Sequence, residues 1–214
     1  MSCVRHAILF SSFSSIMLRA AANLYRAWIF RPSPDLEDLG DLEKTSQEEH
    51  LAYENQRFRV VTLAPESREY REIESYFHRN TFNARFTVIS IDKNTNRWAF
   101  NDTIRTLQRE GTDYAEKTLF HGTRSALNHR SIFAQGFLLE KANNGLLGKG
   151  IYFADDVNYS DSGYCYTTVI NGTRVKTILV CRVLLVSKRY KKMDNIQAIF
   201  DERFCFPEYL ITYQ

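Results

Sequence analysis

The chain has 214 residues, 44% of them hydrophobic and 25% charged, which are ordinary values for a globular protein with one full core. Its formal net charge of +3 is too small to support extensive nucleic-acid binding. Aromatic residues make up 14% of the chain, which suits a β-rich core. The longest apolar stretch near the N-terminus is too short to span a bilayer, so we expect no stable membrane insertion.

Four cysteines are spread along the chain: Cys3, Cys165, Cys181 and Cys205. No pair has the Cys-x-x-Cys spacing of zinc and redox motifs, so we predict no metal. Two disulfides are one alternative, but free or buried thiols in a reducing compartment are favoured.

Residues 1–34 carry four arginines and no acidic residue. Three interpretations stay open: the apolar region of a signal peptide, a mitochondrial transit segment, and a helix or extension with no targeting role. A Pro-Ser-Pro sequence then interrupts any helix, and residues 35–49 are acidic, as in a solvated linker. We therefore divide the chain into an N-terminal extension, residues 1–50, and a folded domain, residues 55–214. Cytoplasmic or nuclear localisation is expected, with mitochondrial or secretory targeting as alternatives.

The first half of the folded domain is predicted to contain two strands, each followed by a helix. Strands are predicted where apolar and polar residues alternate, and helices where apolar residues recur every three or four positions behind a capping residue. In chain order the predicted elements are a strand over residues 58–63, a helix capped by Ser67, a strand over residues 84–91, a turn over residues 92–96 and a helix from Arg97 to Gly111.

The second half is predicted to end in a series of strands. Residues 176–186 form the most apolar run of the chain and are predicted as a central strand covered on both faces. A basic hairpin over residues 187–192 follows, which is either a solvated loop or a rim that faces an acidic substrate or a pyrophosphate. Two short strands over residues 196–200 and 209–213 are separated by a turn at Pro207. This order predicts an α+β domain rich in antiparallel sheet.

Six of the nine glycines fall within residues 119–164, a crowding that is typical of backbone that turns tightly or approaches a ligand closely. A short apolar strand delivers His121, Gly122 and Thr123 here, and a glycine-rich run leads into Tyr152. The backbone of Gly122 matches a primary carboxamide, the imidazole of His121 can bond a sugar hydroxyl, and aromatic rings can stack on a flat ligand. These groups suit the nicotinamide riboside end of a dinucleotide, whereas the glycine spacing does not fit a phosphate-binding loop.

The motifs LFHGT, GF and GKGIYFA, followed by YS and a further tyrosine, resemble the catalytic domain of the poly(ADP-ribose) polymerase (PARP) family of ADP-ribosyltransferases. The segments SREYREIESYF, TVISIDKNTNRWAF and FPEYLITYQ are similar to that family's entry helix, a following conserved stretch and its last strand. The resemblance covers residues 58–214. It implies a split antiparallel sheet that binds NAD as a co-substrate without a metal and cleaves the bond between nicotinamide and ribose.

The resemblance also implies a set of NAD-binding residues. They are His121, Gly122, Thr123, Tyr152, Ala154, Ser160 and Tyr164. In the family's arrangement Tyr152 and Tyr164 would sandwich the nicotinamide ring, while Gly122 and Ser160 would bind its carboxamide. The loop over residues 139–149 would close over the rest of the dinucleotide.

The family's third catalytic residue is a glutamate in most chain-forming members. Counting back from the FPEYLITY ending places Ile196 at that position, so the implied catalytic residues are His121, Tyr152 and Ile196. An isoleucine cannot accept a hydrogen bond or offset positive charge, and such a set resembles the members that transfer a single ADP-ribose. In a rival alignment Glu208 is the catalytic glutamate, and the protein is a chain-forming polymerase.

The resemblance therefore implies an enzyme of the pentosyltransferase type that moves single ADP-ribose units from NAD to protein side chains, its own included, with release of nicotinamide. A catalytically inactive NAD pocket or interaction module is the second hypothesis. Modification of nucleic-acid ends is the third, and the near-neutral charge disfavours it. No basic residue follows Gly136 and Phe137, where some members carry one, so the adenosine contacts stay open. His78 and His129 have no evident partners and are predicted to lie at the surface.

Overall fold

A computed structural model describes residues 60–82 and 86–214, and for Arg130 it describes the backbone alone. The predicted N-terminal extension over residues 1–50 lies outside the described residues, and with it Cys3 and the three targeting interpretations.

The described residues contain eleven strands and four α-helices. The strands are β1 (Val60–Thr62), β2 (Val88–Asn94), β3 (Tyr114–His121), β4 (Asn144–Gly145), β5 (Gly148–Lys149), β6 (Ile151–Ala154), β7 (Tyr166–Ile170), β8 (Thr173–Val186), β9 (Tyr190–Met193), β10 (Ile196–Ile199) and β11 (Cys205–Tyr213). The α-helices are α1 (Arg68–Arg79), α2 (Trp98–Arg109), α3 (Ala126–Gln135) and α4 (Val157–Asp161), and two 3-10 helices span Leu139–Lys141 and Glu202–Phe204. The predicted α+β class, dominated by antiparallel sheet, is confirmed.

Nine of the strands form one antiparallel sheet in the order β1-β2-β11-β8-β3-β6-β10-β9, with β7 also paired to β8. One edge of β8 pairs with β11. Its other edge is shared, because residues 173–177 pair with β7 and residues 179–186 pair with β3. The sheet therefore splits beside β8, between the end of β3 and the start of β7. The strands β4 and β5 form a separate two-stranded hairpin.

The strand β8 is apolar because the structure covers both of its faces. Ile178 and Val180 share a core cluster with Phe77 of α1. Leu179 and Cys181, which point to the opposite face, share a second cluster with residues of α2 and α3. Complete burial of each such side chain stabilises the fold by about 1.5–3 kcal/mol. The prediction of a central strand covered on both faces is confirmed.

Both predicted helices of the first half are present. The hydroxyl oxygen of Ser67 accepts a hydrogen bond from the N–H of Tyr70 at 3.1 Å and so caps α1. The helix predicted between Arg97 and Gly111 is α2. In both cases the local pattern of apolar and capping residues agrees with the tertiary structure.

The polar end of β2 is a strand rather than a turn. Asp92, Lys93 and Asn94 pair with the three residues of β1, and the Thr62 hydroxyl donates a hydrogen bond to the Asp92 carboxylate at 2.7 Å. This pairing satisfies the backbone groups of residues whose side chains would otherwise favour a turn. The prediction of a turn beginning at Asp92 is therefore wrong. The first residues of the strand predicted over 84–91 lie outside the described residues.

Pro207 lies inside β11 rather than in a turn. It is opposite Cys181 of β8, at a shift of register between Pro207 and Tyr209 that leaves Glu208 as an extra residue. Proline has no N–H to donate to the ladder, and a bulge of this kind accommodates it. The connection between β10 and β11 contains the 3-10 helix Glu202–Phe204 instead. The predicted turn at Pro207 is wrong.

The helix α3 has no counterpart among the predicted elements. Its apolar residues do not recur at helical spacing, so the pattern that identified α1 is missing here. The local signal is Ser125, whose hydroxyl oxygen accepts a hydrogen bond from the N–H of Asn128 at 3.4 Å and caps the helix. The packing of α3 against the sheet therefore outweighs its weak intrinsic pattern.

The three cysteines in the described part of the chain, Cys165, Cys181 and Cys205, are free and buried. The expectation of free thiols is confirmed for these three. No helix within residues 60–82 and 86–214 is long and apolar enough to cross a membrane. In the same part of the chain no three His, Cys, Asp or Glu side chains come together as a metal site requires.

Candidate active site

The predicted site lies where the sheet splits. The strand β3 ends at His121, opposite Leu179 of β8, and β7 begins at Tyr166, opposite Thr177. The chain segments that leave these two strand ends therefore start side by side above β8. These segments carry the HGT motif on one side and the second predicted stacking tyrosine on the other.

Gly122 and Tyr164 meet across this opening. A Cβ atom built on Gly122 would lie 2.9 Å from the carbonyl carbon of Tyr164 and 3.0 Å from its Cβ atom. Carbon atoms at that separation overlap, so any side chain at position 122 would push the two segments apart. The structure thus brings the predicted carboxamide-binding residue against the residue that carries the second predicted stacking ring.

His121 is bonded to the backbone of the other stacking residue. Its Nδ1 donates a hydrogen bond to the carbonyl oxygen of Tyr152 at 2.7 Å, and this bond leaves Nε2 as the acceptor of the neutral ring. Desolvation lowers the pKa of His121 below its ordinary value, and the bond to the Tyr152 carbonyl opposes that shift. The ring also packs edge-on against Phe137, with ring centres 5.0 Å apart. A neutral, oriented imidazole can accept a hydrogen bond from a sugar hydroxyl.

Tyr152 anchors the hairpin formed by β4 and β5, residues 144–149, which we call the lid. The Tyr152 hydroxyl donates a hydrogen bond to the carbonyl oxygen of Gly148 and accepts one from the N–H of Leu147, each at 2.7 Å. A Cβ atom built on Gly145 would lie only 2.5 Å from Cζ of the Tyr152 ring. The lid is therefore attached to Tyr152 by two hydrogen bonds and by a close contact that only glycine permits.

Ile196 lies on the same face of the sheet as Tyr152. In the pairing of β10 with β6, Ile196 is opposite Ala154, and Ala198 is opposite Tyr152. Directly opposed residues of an antiparallel pair point to one face, and so do alternate residues along a strand. Ile196 is 9% exposed. The structure brings Tyr152, Ala154 and Ile196 together, and none of these side chains is acidic.

Glu208 lies on a different part of the sheet. Its strand, β11, is separated from β6 by β8 and β3, which corresponds to roughly 14 Å at ordinary strand spacing. The Glu208 carboxylate accepts hydrogen bonds from Arg182 at 2.6 Å and from Arg97 at 3.3 Å. Both arginines also contact Glu116, Arg97 at 3.0 Å and Arg182 at 3.5 Å. Glu208 thus belongs to an ion-pair network away from Tyr152.

Thr123 and Ser160 are both buried beside the opening. The Thr123 hydroxyl oxygen accepts a hydrogen bond from the side-chain amide of Asn128 at 3.2 Å, which leaves its proton available for another acceptor. Ser160 lies on α4, a short helix whose N-terminus is capped by the Asp156 carboxylate. The carbonyl oxygen of Ser160 accepts a hydrogen bond from the N–H of Tyr164 at 3.0 Å. This bond holds the second stacking residue next to the predicted carboxamide contact.

His129 is a buried residue of this region that the sequence does not reveal. It is fully buried on α3, and its Nδ1 lies 3.0 Å from the hydroxyl oxygen of Thr177. Its Nε2 has no hydrogen-bond partner among the described residues. Burial, and secondarily the nearby His121, lower the pKa of His129 to about 3. The predicted surface position of His129 is therefore wrong, whereas that of His78 is confirmed.

Tyr159 is a second residue that sequence reasoning missed. Its ring stacks on that of Tyr164, with ring centres 5.5 Å apart and an angle of 15° between the planes. Burial, and then the hydrogen bond with the Tyr164 side chain, raise the pKa of Tyr159. Tyr164 itself is 44% exposed. The one signal in the sequence was the position of Tyr159 directly before Ser160, inside the YS motif.

The model of the poly(ADP-ribose) polymerase catalytic domain family matches residues 67–201. The chain belongs to the PARP catalytic domain family. The match includes His121, Tyr152 and Ile196. The family resemblance seen in the sequence is confirmed.

Two curated relatives of this PARP domain were found. A Dictyostelium discoideum protein named as a probable poly(ADP-ribose) polymerase is 31% identical over 186 residues, which cover 75% of the chain and 54% of that protein. The Homo sapiens protein mono-ADP-ribosyltransferase PARP14 is 28% identical over 189 residues, which cover 74% of the chain and 10% of that protein. The chain therefore spans about half the length of the first relative and about a tenth of the second.

Membership of the PARP family supports ADP-ribosyltransferase activity with NAD as the substrate. The residues at the split of the sheet fit that substrate. Tyr152 and Tyr164 offer ring surfaces, Gly122 and Ser160 offer hydrogen-bonding groups for a carboxamide, and His121 offers a neutral acceptor nitrogen.

Proposed function

We propose that this PARP domain transfers single ADP-ribose units from NAD to protein side chains, its own included, and releases nicotinamide. The proposal needs no metal. The name of the Homo sapiens relative describes mono-ADP-ribosyl transfer by a protein of this family, which supports a single-unit reaction. The finer claims, namely the number of units and the acceptor, depend on the residues around Tyr152.

Each proposed contact with NAD has a residue of suitable chemistry. Gly122 and Ser160 bind the carboxamide, and Tyr152 and Tyr164 stack on the nicotinamide ring. Nε2 of His121 accepts a hydrogen bond from a ribose hydroxyl. These contacts orient the bond between nicotinamide and C1′ of the ribose. When that bond breaks, nicotinamide leaves with the bonding electrons, and an acceptor oxygen or nitrogen forms the new bond to C1′.

The single-unit proposal rests on one observation: Ile196 of β10 lies opposite Ala154 of β6. A glutamate at this point can bind a ribose hydroxyl and support elongation, and an isoleucine can do neither. Asp155 follows Ala154 directly, but it points to the other face. Its carboxylate accepts a hydrogen bond from Gln197 at 2.9 Å and pairs with Lys192 at 3.2 Å. Asp155 is therefore engaged elsewhere and does not replace the missing glutamate.

Incubation of the purified chain with labelled NAD, followed by gel electrophoresis and mass spectrometry, tests the proposal. We expect adducts of one ADP-ribose mass on the chain itself or on an added protein. Ladders of increasing length would contradict the single-unit claim and favour the chain-forming alternative. Binding of NAD in calorimetry without any label would favour the interaction module, and absence of NAD binding would contradict the proposal as a whole.

Two matched variants connect the labelling to the site. His121→Ala removes the proposed ribose contact and is expected to reduce labelling by more than about tenfold. Ile196→Ala keeps an apolar side chain, so we expect the labelled products to remain single units. Longer products from Ile196→Ala would show that the isoleucine side chain itself, rather than the absence of a carboxylate, limits the chain length.

A further inference from the structure

Arg124 follows the HGT motif and reaches across the opening between β3 and β7. Its Nε donates a hydrogen bond to the carbonyl oxygen of Gly163 at 2.5 Å. Its guanidinium carbon lies 5.2 Å from the centre of the Tyr164 ring. Within residues 60–82 and 86–214 Arg124 takes part in no ion pair. One planar group therefore contacts both the Tyr164 ring and the peptide that precedes it.

Tyr164 has few other contacts that could hold its ring in place. It is 44% exposed. Gly163, directly before it, has a φ of +127°, a conformation that glycine adopts with little restraint. The other contacts are the stacking on Tyr159, a hydrogen bond with the Tyr159 side chain, the backbone hydrogen bond to Ser160 and the close approach of the Tyr164 backbone to Gly122. Gly122 and Ser160 contact the backbone and Cβ of Tyr164, so its ring is held by Tyr159 and Arg124.

We propose that Arg124 is a positioning residue of the nicotinamide pocket, which holds the Tyr164 ring at a fixed distance from Gly122. The inference rests on the proposed function, because that function places Tyr164 in the nicotinamide pocket. A cation over a ring face is attracted by the ring quadrupole, and the planar fork of a guanidinium fixes its direction toward a carbonyl oxygen. Arg124 and Gly122 lie two residues apart in the chain. The contacts of Arg124 therefore connect the carboxamide-binding backbone of Gly122 to the stacking ring of Tyr164.

In this role Arg124 affects the binding of only one half of NAD, the nicotinamide half. The nicotinamide ring needs the Tyr164 wall, whereas ADP-ribose lacks that ring. Loss of Arg124 should therefore weaken ligands that contain a nicotinamide-like ring and leave ADP-ribose binding unchanged. A direct contact between Arg124 and the phosphates would produce the opposite pattern.

Isothermal titration calorimetry with 3-aminobenzamide, NAD and ADP-ribose separates these patterns. We expect Arg124→Gln to weaken 3-aminobenzamide and NAD about fivefold each and to leave ADP-ribose within about twofold. Arg124→Lys keeps the charge and loses the planar fork, so its effect should be intermediate. Arg105→Ala is the matched control, because Arg105 is exposed on α2 and contacts Asp102 there. It should change none of the three affinities.

A double-mutant cycle adds a readout that a merely structural arginine would not affect. If Arg124 acts through Tyr164, then Arg124→Gln should cost no further 3-aminobenzamide affinity once Tyr164→Ala is present. Additive losses would overturn the inference. So would an equal loss of ADP-ribose affinity, or unchanged affinities in Arg124→Gln. Because ligand binding by the wild-type chain is measured first, failure there would contradict the proposed function itself and the inference with it.

Discussion

The strands β8 and β11, with 14 and nine residues, form the centre of the sheet, whereas β6 and β10, with four residues each, lie beyond β3. We call the first pair the central strands and the second pair the site strands. The central strands carry Arg182 and Glu208 of the partly exposed ion-pair network and the packing partners of α1 and α3. The site strands carry Tyr152 and Ile196 and hold the lid. The difference teaches that the stability of the sheet depends on the pairing of its long, buried central strands. The proposed chemistry depends on a few residues of the short site strands.

This comparison predicts that changes in the central strands alter stability, and that changes in the site strands and the lid alter ligand binding. Glu208 and Ile196 represent the two regions, because each could occupy the family's glutamate position in one alignment.

Glu208→Gln should destabilise the fold by about 3 kcal/mol, because it removes the buried carboxylate of the network and leaves Arg182 and Arg97 with the more exposed Glu116 alone. The lower end of the usual range applies, since Arg182 is 36% exposed. Urea unfolding followed by circular dichroism measures the change. NAD affinity of the folded fraction should stay within about twofold. Unchanged stability together with lost NAD binding would place Glu208 in the site and remove the contrast between the two regions.

His129 should make the fold sensitive to acid. Its pKa is lowered to about 3 in the folded protein, against about 6.5 in the unfolded chain. Its contribution to stability is therefore present above about pH 6.5 and is lost as the pH falls, by about 2 kcal/mol between pH 7 and pH 5. The unfolding free energy of the wild type should fall between pH 7 and pH 5. That of His129→Gln should fall by about 2 kcal/mol less over the same interval. An identical fall in both proteins would show that His129 titrates normally.

Gly145→Ala should weaken NAD binding about tenfold, which corresponds to about 1.4 kcal/mol. The added Cβ atom would lie 2.5 Å from Cζ of Tyr152, so the lid must move away from the ring. Calorimetry with NAD measures the loss, and the unfolding free energy should change by less than about 1 kcal/mol. Leu146→Ala is the control, because Leu146 is 76% exposed at the tip of the lid. Equal effects of both variants would mean that the contact with Tyr152 has no special role.

Tyr152→Phe should have the smallest effect, because it keeps the stacking ring and removes only the two hydrogen bonds to the lid. We expect NAD affinity to fall about fivefold, which corresponds to about 1 kcal/mol. Hydrogen exchange at the Leu147 amide should accelerate, since that N–H loses its acceptor. If exchange at Leu147 does not change, then the lid is held by the Gly145 contact alone.

The sequence predicts best those elements whose cause is local. An apolar run predicts β8, and Ser67 followed by regularly spaced apolar residues predicts α1. The polar end of β2 could not be predicted, because Asp92 becomes part of a strand only through its partners on β1 and β11. Pro207 is similar, since the bulge that accommodates it depends on the register between β11 and β8.

The residues of the site could be named from motifs, but their mutual contacts could not. The bond between His121 and the Tyr152 carbonyl joins positions 31 residues apart, and the attachment of the lid depends on the backbone of a glycine-rich loop. His129 and Arg124 carry no motif of their own. The buried position of His129 depends on the packing of α3, and the contacts of Arg124 depend on the turn after α4.

The shared edge of β8 has a consequence for how the pocket can vary. Only Ile178 separates Thr177, the last partner of β7, from Leu179, the first partner of β3. The positions of both walls of the pocket are therefore fixed by the register of β3 and β7 along the single strand β8. Insertion or deletion of a single residue there would shift one wall against the other by about 3.3 Å and turn the following side chains to the opposite face. The width of the opening at the surface therefore depends on the spacing set by Ile178, a fully buried residue.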